Sequence, residues 1–367
     1  MSEIDCLVVG AGFAGATIAE RMATEHGRKV VVMERRDHVG GNAFDCPDAH
    51  GILIHPYGPH IFHTNAKQIF DYLSRFTEWR PYEHKVLAEI DGKLAPVPFN
   101  LNSLHALFPA PQAEKLERLL IEQYGMEARV PILKMRESAH ADLKELAEYV
   151  YQKVFLGYTV KQWGLRPEDL SPSVTARVPV AVSRDDRYFQ DTYQAMPAAG
   201  YGVMFERMLD HPNIELRLGE DYLAQRNKIK ADHVFFTGPI DAYFDYRFGP
   251  LPYRSLHFEH ENLAQTSFQP VGTVNYPNSH AYTRITEFKH LTGQSAAHTS
   301  IVKEYPRADG DPYYPVPRLD NEALYQRYLQ LADAESKVSF VGRLANYRYY
   351  NMDQVVASAL TACKSAA

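Results

Sequence analysis

A glycine turn set between two apolar strands constrains this chain more than any other feature. Residues 4–9 read IDCLVV, a short apolar run. Gly10-Ala11-Gly12-Phe13-Ala14-Gly15 follows, then a helical pattern from Ala14 to about Glu25. A second apolar run over residues 30–33 ends in Glu34. In such a strand–turn–helix–strand unit the first glycine allows the tight turn. The second lets a pyrophosphate approach the backbone, and the third lets helix and strand pack closely. The helix start offers free N–H groups and a positive dipole end to phosphates. Glu34 falls where a carboxylate accepts from ribose hydroxyls. A lone glycine fingerprint is weak evidence. With both strands, the helix and the acid in place, the unit predicts a bound adenine dinucleotide held by Gly10, Gly12, Phe13, Ala14, Gly15 and Glu34.

The rest of the chain bounds the possibilities. Its 367 residues are too many for one simple core, so two or three domains are expected. A formal net charge of −6 with no basic stripe argues against nucleic acid as a partner. The first apolar run is too short for a signal peptide, and no run approaches the length of a membrane span. Cys6, Cys46 and Cys363 are widely spaced and odd in number. They read as reduced thiols of a cytoplasmic protein, and no Cys/His spacing suggests a metal.

Past Glu34 the chain reads Arg35-Arg36-Asp37-His38-Val39-Gly40-Gly41-Asn42. A glycine pair here permits a second close backbone approach to the cofactor. The arrangement resembles the glutathione-reductase-like flavoproteins and favours FAD over NAD, with Arg35, Gly41 and Asn42 added to its contacts. Residues 51–63 (GILIHPYGPHIFH) make a fixed, irregular loop carrying His60 and His63. The pair is open to three readings: a metal site, hydrogen-bonded loop histidines, or, the one favoured, histidines lining the flavin ring. Asp91-Gly92 between apolar runs signals a hairpin. Helical periodicity dominates from Leu101 to about Gly157 and marks an inserted helical subdomain. Residues 157–170, with breakers at Gly164 and Pro167, are expected to form a mobile loop. An apolar strand ending in Thr237-Gly238, and Gly342 followed by a helix from Met352, return the chain to the cofactor. The expected fold is α/β: a discontinuous Rossmann-like FAD-binding domain (1–84, 195–241, 336–367), a helical subdomain (100–172), and an antiparallel β-sheet substrate domain (85–99, 173–194, 242–335).

No Ser-His-Asp or Cys-His constellation is readable. No second glycine fingerprint offers tight binding to a nicotinamide nucleotide. Arginines among polar aromatics stand out instead: Tyr158 to Gly164 (YTVKQWG), Arg177, Tyr188-Phe189, Tyr282-Thr283-Arg284, Tyr313-Tyr314-Pro315 and Tyr347-Arg348-Tyr349-Tyr350. Arginine forks suit a diphosphate, and flat rings suit a base or a sugar face. Each motif alone is more often structural.

Together, with GPHIFHT at 58–64, GYTVKQWG at 157–164 and YYPV at 313–316 in one order, they make the sequence similar to bacterial UDP-galactopyranose mutase over nearly its whole length. The resemblance implies an isomerase with no net redox change. In that family N5 of reduced FAD attacks the anomeric carbon, UDP leaves, and the flavin N5–sugar adduct opens and recloses as the furanose. The implied substrate is a UDP-sugar, UDP-galactose foremost. NAD(P)H or another external reductant keeps the flavin reduced, and a homodimer is implied. Carried over residue by residue, the diphosphate arginines are Arg177 and Arg284, and the histidines near the flavin are His60 and His63. The uridine-side residues are Tyr158, Trp163, Tyr188 and Asn275. The phosphate-side tyrosines are Tyr314 and Tyr349, while Gly238, Arg343 and Met352 join the cofactor contacts.

Two departures bear on the sugar. Asn351 replaces an aspartate usual near the substrate, and the spacing from Asn275 to Arg284 is one residue shorter. Relatives acting on UDP-N-acetylgalactosamine or deoxysugar nucleotides are therefore alternatives, although His63 matches the plain galactose type. Outside the mutases, an FAD oxidase of the amine-oxidase type shares the nucleotide domain but needs no diphosphate clamp. A non-catalytic nucleotide-sugar binder would keep FAD for structure alone.

Overall fold

The computed structural model describes residues 4–171 and 178–365. Arg177 lies outside the described residues, as do 172–176. Strands from distant stretches of the chain meet in one parallel sheet of five. Its order is Ile214–Leu218, β2 (Val30–Glu34), β1 (Ile4–Val9), Ala231–Phe236, Val338–Phe340. The central strands are largely apolar because both faces are covered. On one side lie α1 (Phe13–Thr24), Tyr201–Leu209 and Met352–Ser365, packing Val8, Ile18, Met22, Phe205 and Val356. On the other lie Leu7, Val31, Met33, Tyr222 and Phe236.

A three-stranded sheet adjoins it, with Tyr193–Pro197 between Phe62–Thr64 and Trp79–Pro81. That middle strand crosses the boundary expected at 194/195, because its pairings on both sides hold it to the nucleotide-binding half.

The largest sheet has seven strands, in the order Tyr314–Pro315, Tyr253–Leu263, Thr299–Arg307, Arg284–Glu287, Thr273–Asn275, Val86–Ile90, Lys93–Val97. It was expected to be antiparallel, but Thr273–Asn275 pairs parallel to Val86–Ile90. Those two strands are remote in sequence, so no tight turn dictates their direction. The hairpin itself forms as its sequence requires: Asp91 and Gly92 take φ values of 50° and 79°, the two positive angles of a type I′ turn.

Helices over residues 100–163 pack on the hairpin. Val86, Ala88, Ile90 and Val97 share a core with Leu104, Leu116, Leu120, Leu143, Leu146 and Val150. Asn100 starts this run with a capping box closed by Ser103. The structure corrects the expectation of a loop from residue 157. Ala141–Val150 continues through a π turn, Tyr151–Leu156, directly into the helix Gly157–Trp163. Gly157 lies inside the helix and permits a close approach: a Cβ on it would lie 2.4 Å from the Pro277 carbonyl oxygen. The true stop is Gly164, left-handed at φ 68°, ψ 14°.

Candidate functional site

The site begins with a row of residues across the seven-stranded sheet. In register, Ala88 opposes Asn275, Asn275 opposes Arg284, Arg284 opposes Glu304 and Glu304 opposes Phe258. All five therefore share one face. The helical subdomain covers one end of that face. The loop at 56–60 covers the other, where Gly58 (φ +86°) sits so close to Phe258 that a Cβ would lie 2.8 Å from the ring. Between them lies a cavity of about 460 Å³. The shorter spacing between Asn275 and Arg284 thus changes only the hairpin loop, since the two residues stand side by side.

Arg284 is not a free cation. Its Nε and Nη2 donate to both oxygens of Glu304 at 2.6 and 2.9 Å. Glu304 is 1% exposed. Burial alone would lower the arginine pKa, but Glu304 reverses this and raises it well above its usual value. Its remaining nitrogen, Nη1, is left out of that fork. Arg343 supplies a second cation, held by the carbonyls of Tyr350 and Tyr313 and set 5.7 and 5.6 Å from the ring centroids of Tyr314 and Tyr349. Tyr158 and Tyr314 have phenol pKa values pushed up by burial, so both remain hydrogen-bond donors. The Asn275 amide oxygen is buried without a partner among the described residues, an acceptor open to a donor.

Three histidines line the wall. His60 Nδ1 lies 2.9 Å from the Gly58 carbonyl. A carbonyl only accepts, so Nδ1 carries the proton and Nε2 of the neutral ring is an acceptor. Burial, with Arg343 and Arg284 adding to it, lowers this pKa to about 4. His63 bonds Asp191 through Nδ1 at 2.8 Å and stacks on Phe189 at 3.6 Å. His84 bonds the Tyr82 hydroxyl, and burial takes its pKa down to about 3.

Of the residues expected from the sequence, His60, His63, Asn42, Tyr158, Tyr188, Asn275, Arg284, Tyr314, Arg343, Tyr349, Asn351 and Met352 line this cavity. Trp163 does not. It stands behind the wall, edge-on to Tyr349 and tilted to Tyr314 at centroid distances of 5.8 and 6.2 Å, because it ends a helix packed from outside. Asn351 precedes the helix Met352–Ser365, and Gln354 reaches back to its N–H at 2.9 Å. The resemblance implies an aspartate here, and asparagine in its place carries no negative charge while suiting a helix start equally well. Glu304, His84 and Asp191 were missed. Alternation along the strand does not single out Glu304, since Ile301 and Val302 are both buried; only its pairing with Arg284 reveals it.

The glycine turns form a second cradle. A Cβ on Gly41 (φ +56°) would fall 3.1 Å from the Gly12 Cα, and one on Gly342 (φ +103°) would fall 3.1 Å from the Ala14 Cβ. Gly10 (φ +100°) and Gly15 are equally pressed, by Thr237 and by the Gly10 carbonyl, while Gly238 abuts the Phe236 ring. The start of α1 has no side-chain cap and no acid in its first turn. Its free N–H groups and the two facing backbones fit the diphosphate of FAD. Phe13 packs below the turn in the core. The Glu34 carboxylate holds the turn itself, accepting from Ala11 N at 2.9 Å and Arg36 N at 3.0 Å. Each oxygen keeps a lone pair for a ribose hydroxyl. Arg35 is turned outward, where it meets Asp311 at 2.8 Å instead of a cofactor group.

Comparison with known proteins agrees with this geometry. The profile of the family described as UDP-galactopyranose mutase matches residues 153–349, and that of an NAD(P)-binding Rossmann-like domain matches residues 8–76. The chain is 38% identical to a probable UDP-galactopyranose mutase of Klebsiella pneumoniae, covering 98% of this chain and 94% of that one. It is 35% identical to a dTDP-fucopyranose mutase of Escherichia coli, covering 96% of each. Its fold matches a crystal structure of reduced UDP-galactopyranose mutase with a TM-score of 0.75 at 16% identity, covering 99% of this chain and 95% of that one.

Proposed function

The chain belongs to the UDP-galactopyranose mutase family, and on that premise we propose that it interconverts the pyranose and furanose forms of a UDP-sugar, UDP-galactose first, with FAD in its reduced form. The observation that carries the reading is the row Asn275–Arg284–Glu304 flooring a tyrosine-ringed cavity that also takes in Asn42, Met352 and Arg343 from the cofactor side. The Gly10–Gly12–Gly15, Gly41 and Gly342 backbones would hold FAD, which in its reduced form would supply the nucleophile for the anomeric carbon. The protein then has to orient the sugar, hold the leaving diphosphate and exclude water.

Arg284, with Glu304 locking its fork, presents Nη1 to the diphosphate in one orientation. Arg343 adds a fixed positive charge, and Tyr158, Tyr314 and Tyr349 donate from their hydroxyls. Arg177 is assigned to the diphosphate's other side on the sequence match alone. The neutral His60 offers Nε2 to a sugar hydroxyl, and His63, held by Asp191, lies beside it. Tyr188 and the buried Asn275 amide are assigned to the uridine, with Trp163 backing the phosphate-side rings.

A second reading keeps the chemistry and changes the sugar nucleotide. The neutral Asn351 and the similarity to a dTDP-fucopyranose mutase favour testing a deoxysugar nucleotide beside UDP-galactose. On the resemblance alone we also assign NAD(P)H as external reductant, a cytoplasmic homodimer, a division into nucleotide-binding, helical and substrate domains, and a role in supplying galactofuranose to cell-wall polysaccharide. The test is to incubate the dithionite-reduced protein with UDP-galactopyranose, UDP-N-acetylgalactosamine and a dTDP-6-deoxysugar and to separate the products by chromatography. A furanose product supports the reading. UDP binding without conversion of any of them would make the protein a binder, and reduction of the oxidised flavin by an amine in a separate incubation would make it an oxidase.

A further inference from the structure

The helix Gly157–Trp163 places Tyr158 in the cavity and Trp163 behind Tyr314 and Tyr349, yet two cations outside the cavity hold it there. On one side, Lys161 Nζ donates to the carbonyls of Tyr276 and Ser279 at 2.6 and 2.7 Å, in the loop that follows Asn275. On the other, Arg254 donates through Nε to the Gln162 carbonyl at 2.8 Å and through Nη2 to the Lys161 carbonyl at 3.3 Å. These are the last carbonyls of the helix, where a cation also meets the negative end of its dipole. Arg254 lies directly across the sheet from Tyr314. Burial lowers the pKa of both cations. Among the described residues neither meets a carboxylate, so each is committed to the helix it holds.

We propose that Lys161 and Arg254 are positioning residues that set affinity for the nucleotide sugar by seating this helix, and with it Tyr158 and Trp163, between the Asn275 loop and the Tyr314 strand. The inference rests on the functional reading above. Neither side chain lines the cavity, so their loss weakens substrate and transition state alike, raising KM and sparing kcat. Loss of Arg284 acts on the step in which the diphosphate departs.

The experiment compares Arg254→Met, Arg254→Lys and Lys161→Met with wild type, all loaded with FAD. Two readouts are taken: hydrogen exchange of the amides at 157–164 without substrate, and kcat and KM of the reduced enzyme beside a UDP titration. Arg254→Met and Lys161→Met should each speed exchange and raise both KM and the UDP Kd by about tenfold or more, with kcat within about threefold of wild type. Arg254→Lys should fall between, since an ammonium keeps the charge but loses the fork. Unchanged KM and UDP Kd with an active wild type, or a fall in kcat at constant KM, overturns the proposal. So does a lowered Tm without faster exchange at 157–164, which marks a merely structural role. If Arg254→Met does not fold, the other two variants decide. If wild type converts no sugar, the functional reading fails, while the exchange rates and UDP titration still test the seating.

Discussion

Removing Arg284 should damage two things at once, and a double variant should separate them. Glu304 is 1% exposed, and Arg284 occupies both of its oxygens. Arg284→Ala leaves that carboxylate buried and unpaired, at a cost of about 3–5 kcal/mol. In a protein of this size that lowers Tm by about 5 °C, since each kcal/mol is worth only a degree or two. The same change removes one charge-assisted contact with the departing diphosphate. At roughly 1.5–3 kcal/mol this slows turnover about ten- to a hundredfold. Replacing the whole pair, Arg284→Met with Glu304→Leu, leaves no orphaned charge and fills a similar volume. Stability should then return to near wild type, while turnover stays lost. Thermal melts of the FAD-loaded proteins and product chromatography at saturating UDP-galactopyranose measure the two effects. Recovery of turnover in the double variant would refute the assigned role and leave the arginine as a partner of Glu304 only. An unchanged Tm for Arg284→Ala would refute the buried pair itself.

Acid should unfold the protein early. Burial depresses His55, His60 and His84 to about 3, 4 and 3, so each stabilises the fold above the ordinary pKa near 6.5 and loses that contribution as pH falls. Asp45 is raised to about 6 by burial and acts in the opposite sense, contributing below its unfolded value and losing that as pH rises through 6. Around pH 5, unfolding therefore takes up roughly two protons net, or about 2–3 kcal/mol per pH unit, so Tm should drop steeply between pH 6.5 and 5; a flat profile would contradict it. Gly41→Ala puts a side chain at φ +56° with its Cβ 3.1 Å from the Gly12 Cα, closing the cradle. Its FAD content, read from absorbance, should fall well below wild type while the apoprotein still folds. Finally, the purified protein should be yellow and release FAD on denaturation, and only its reduced form should turn over; equal rates under strictly oxidised conditions would exclude flavin acting as the nucleophile.

The sequence by itself determined the nucleotide-binding unit and the chemistry of the aromatic and arginine motifs. Both are legible because their signals are local. A tight turn, a close backbone approach and an uncapped helix start all lie within the first 34 residues, and the Asp91-Gly92 hairpin is equally local. Tertiary structure decided what depends on partners far along the chain. Arg284 reads as a free fork until the pairing of Arg284–Glu287 with Thr299–Arg307 sets Glu304 beside it. His84 carries no motif and becomes part of a wall only through Tyr82 and the neighbouring Tyr188 and Phe189 rings. In sequence Gly157 opens the stretch expected to form a mobile loop. The Pro277 carbonyl, brought within 2.4 Å of where a side chain would begin, makes it a packing glycine inside a helix. A glycine's local preference is weak, about 1 kcal/mol against alanine, so the close contact with Pro277 and the two cations at the C-terminal end of the helix outweigh it.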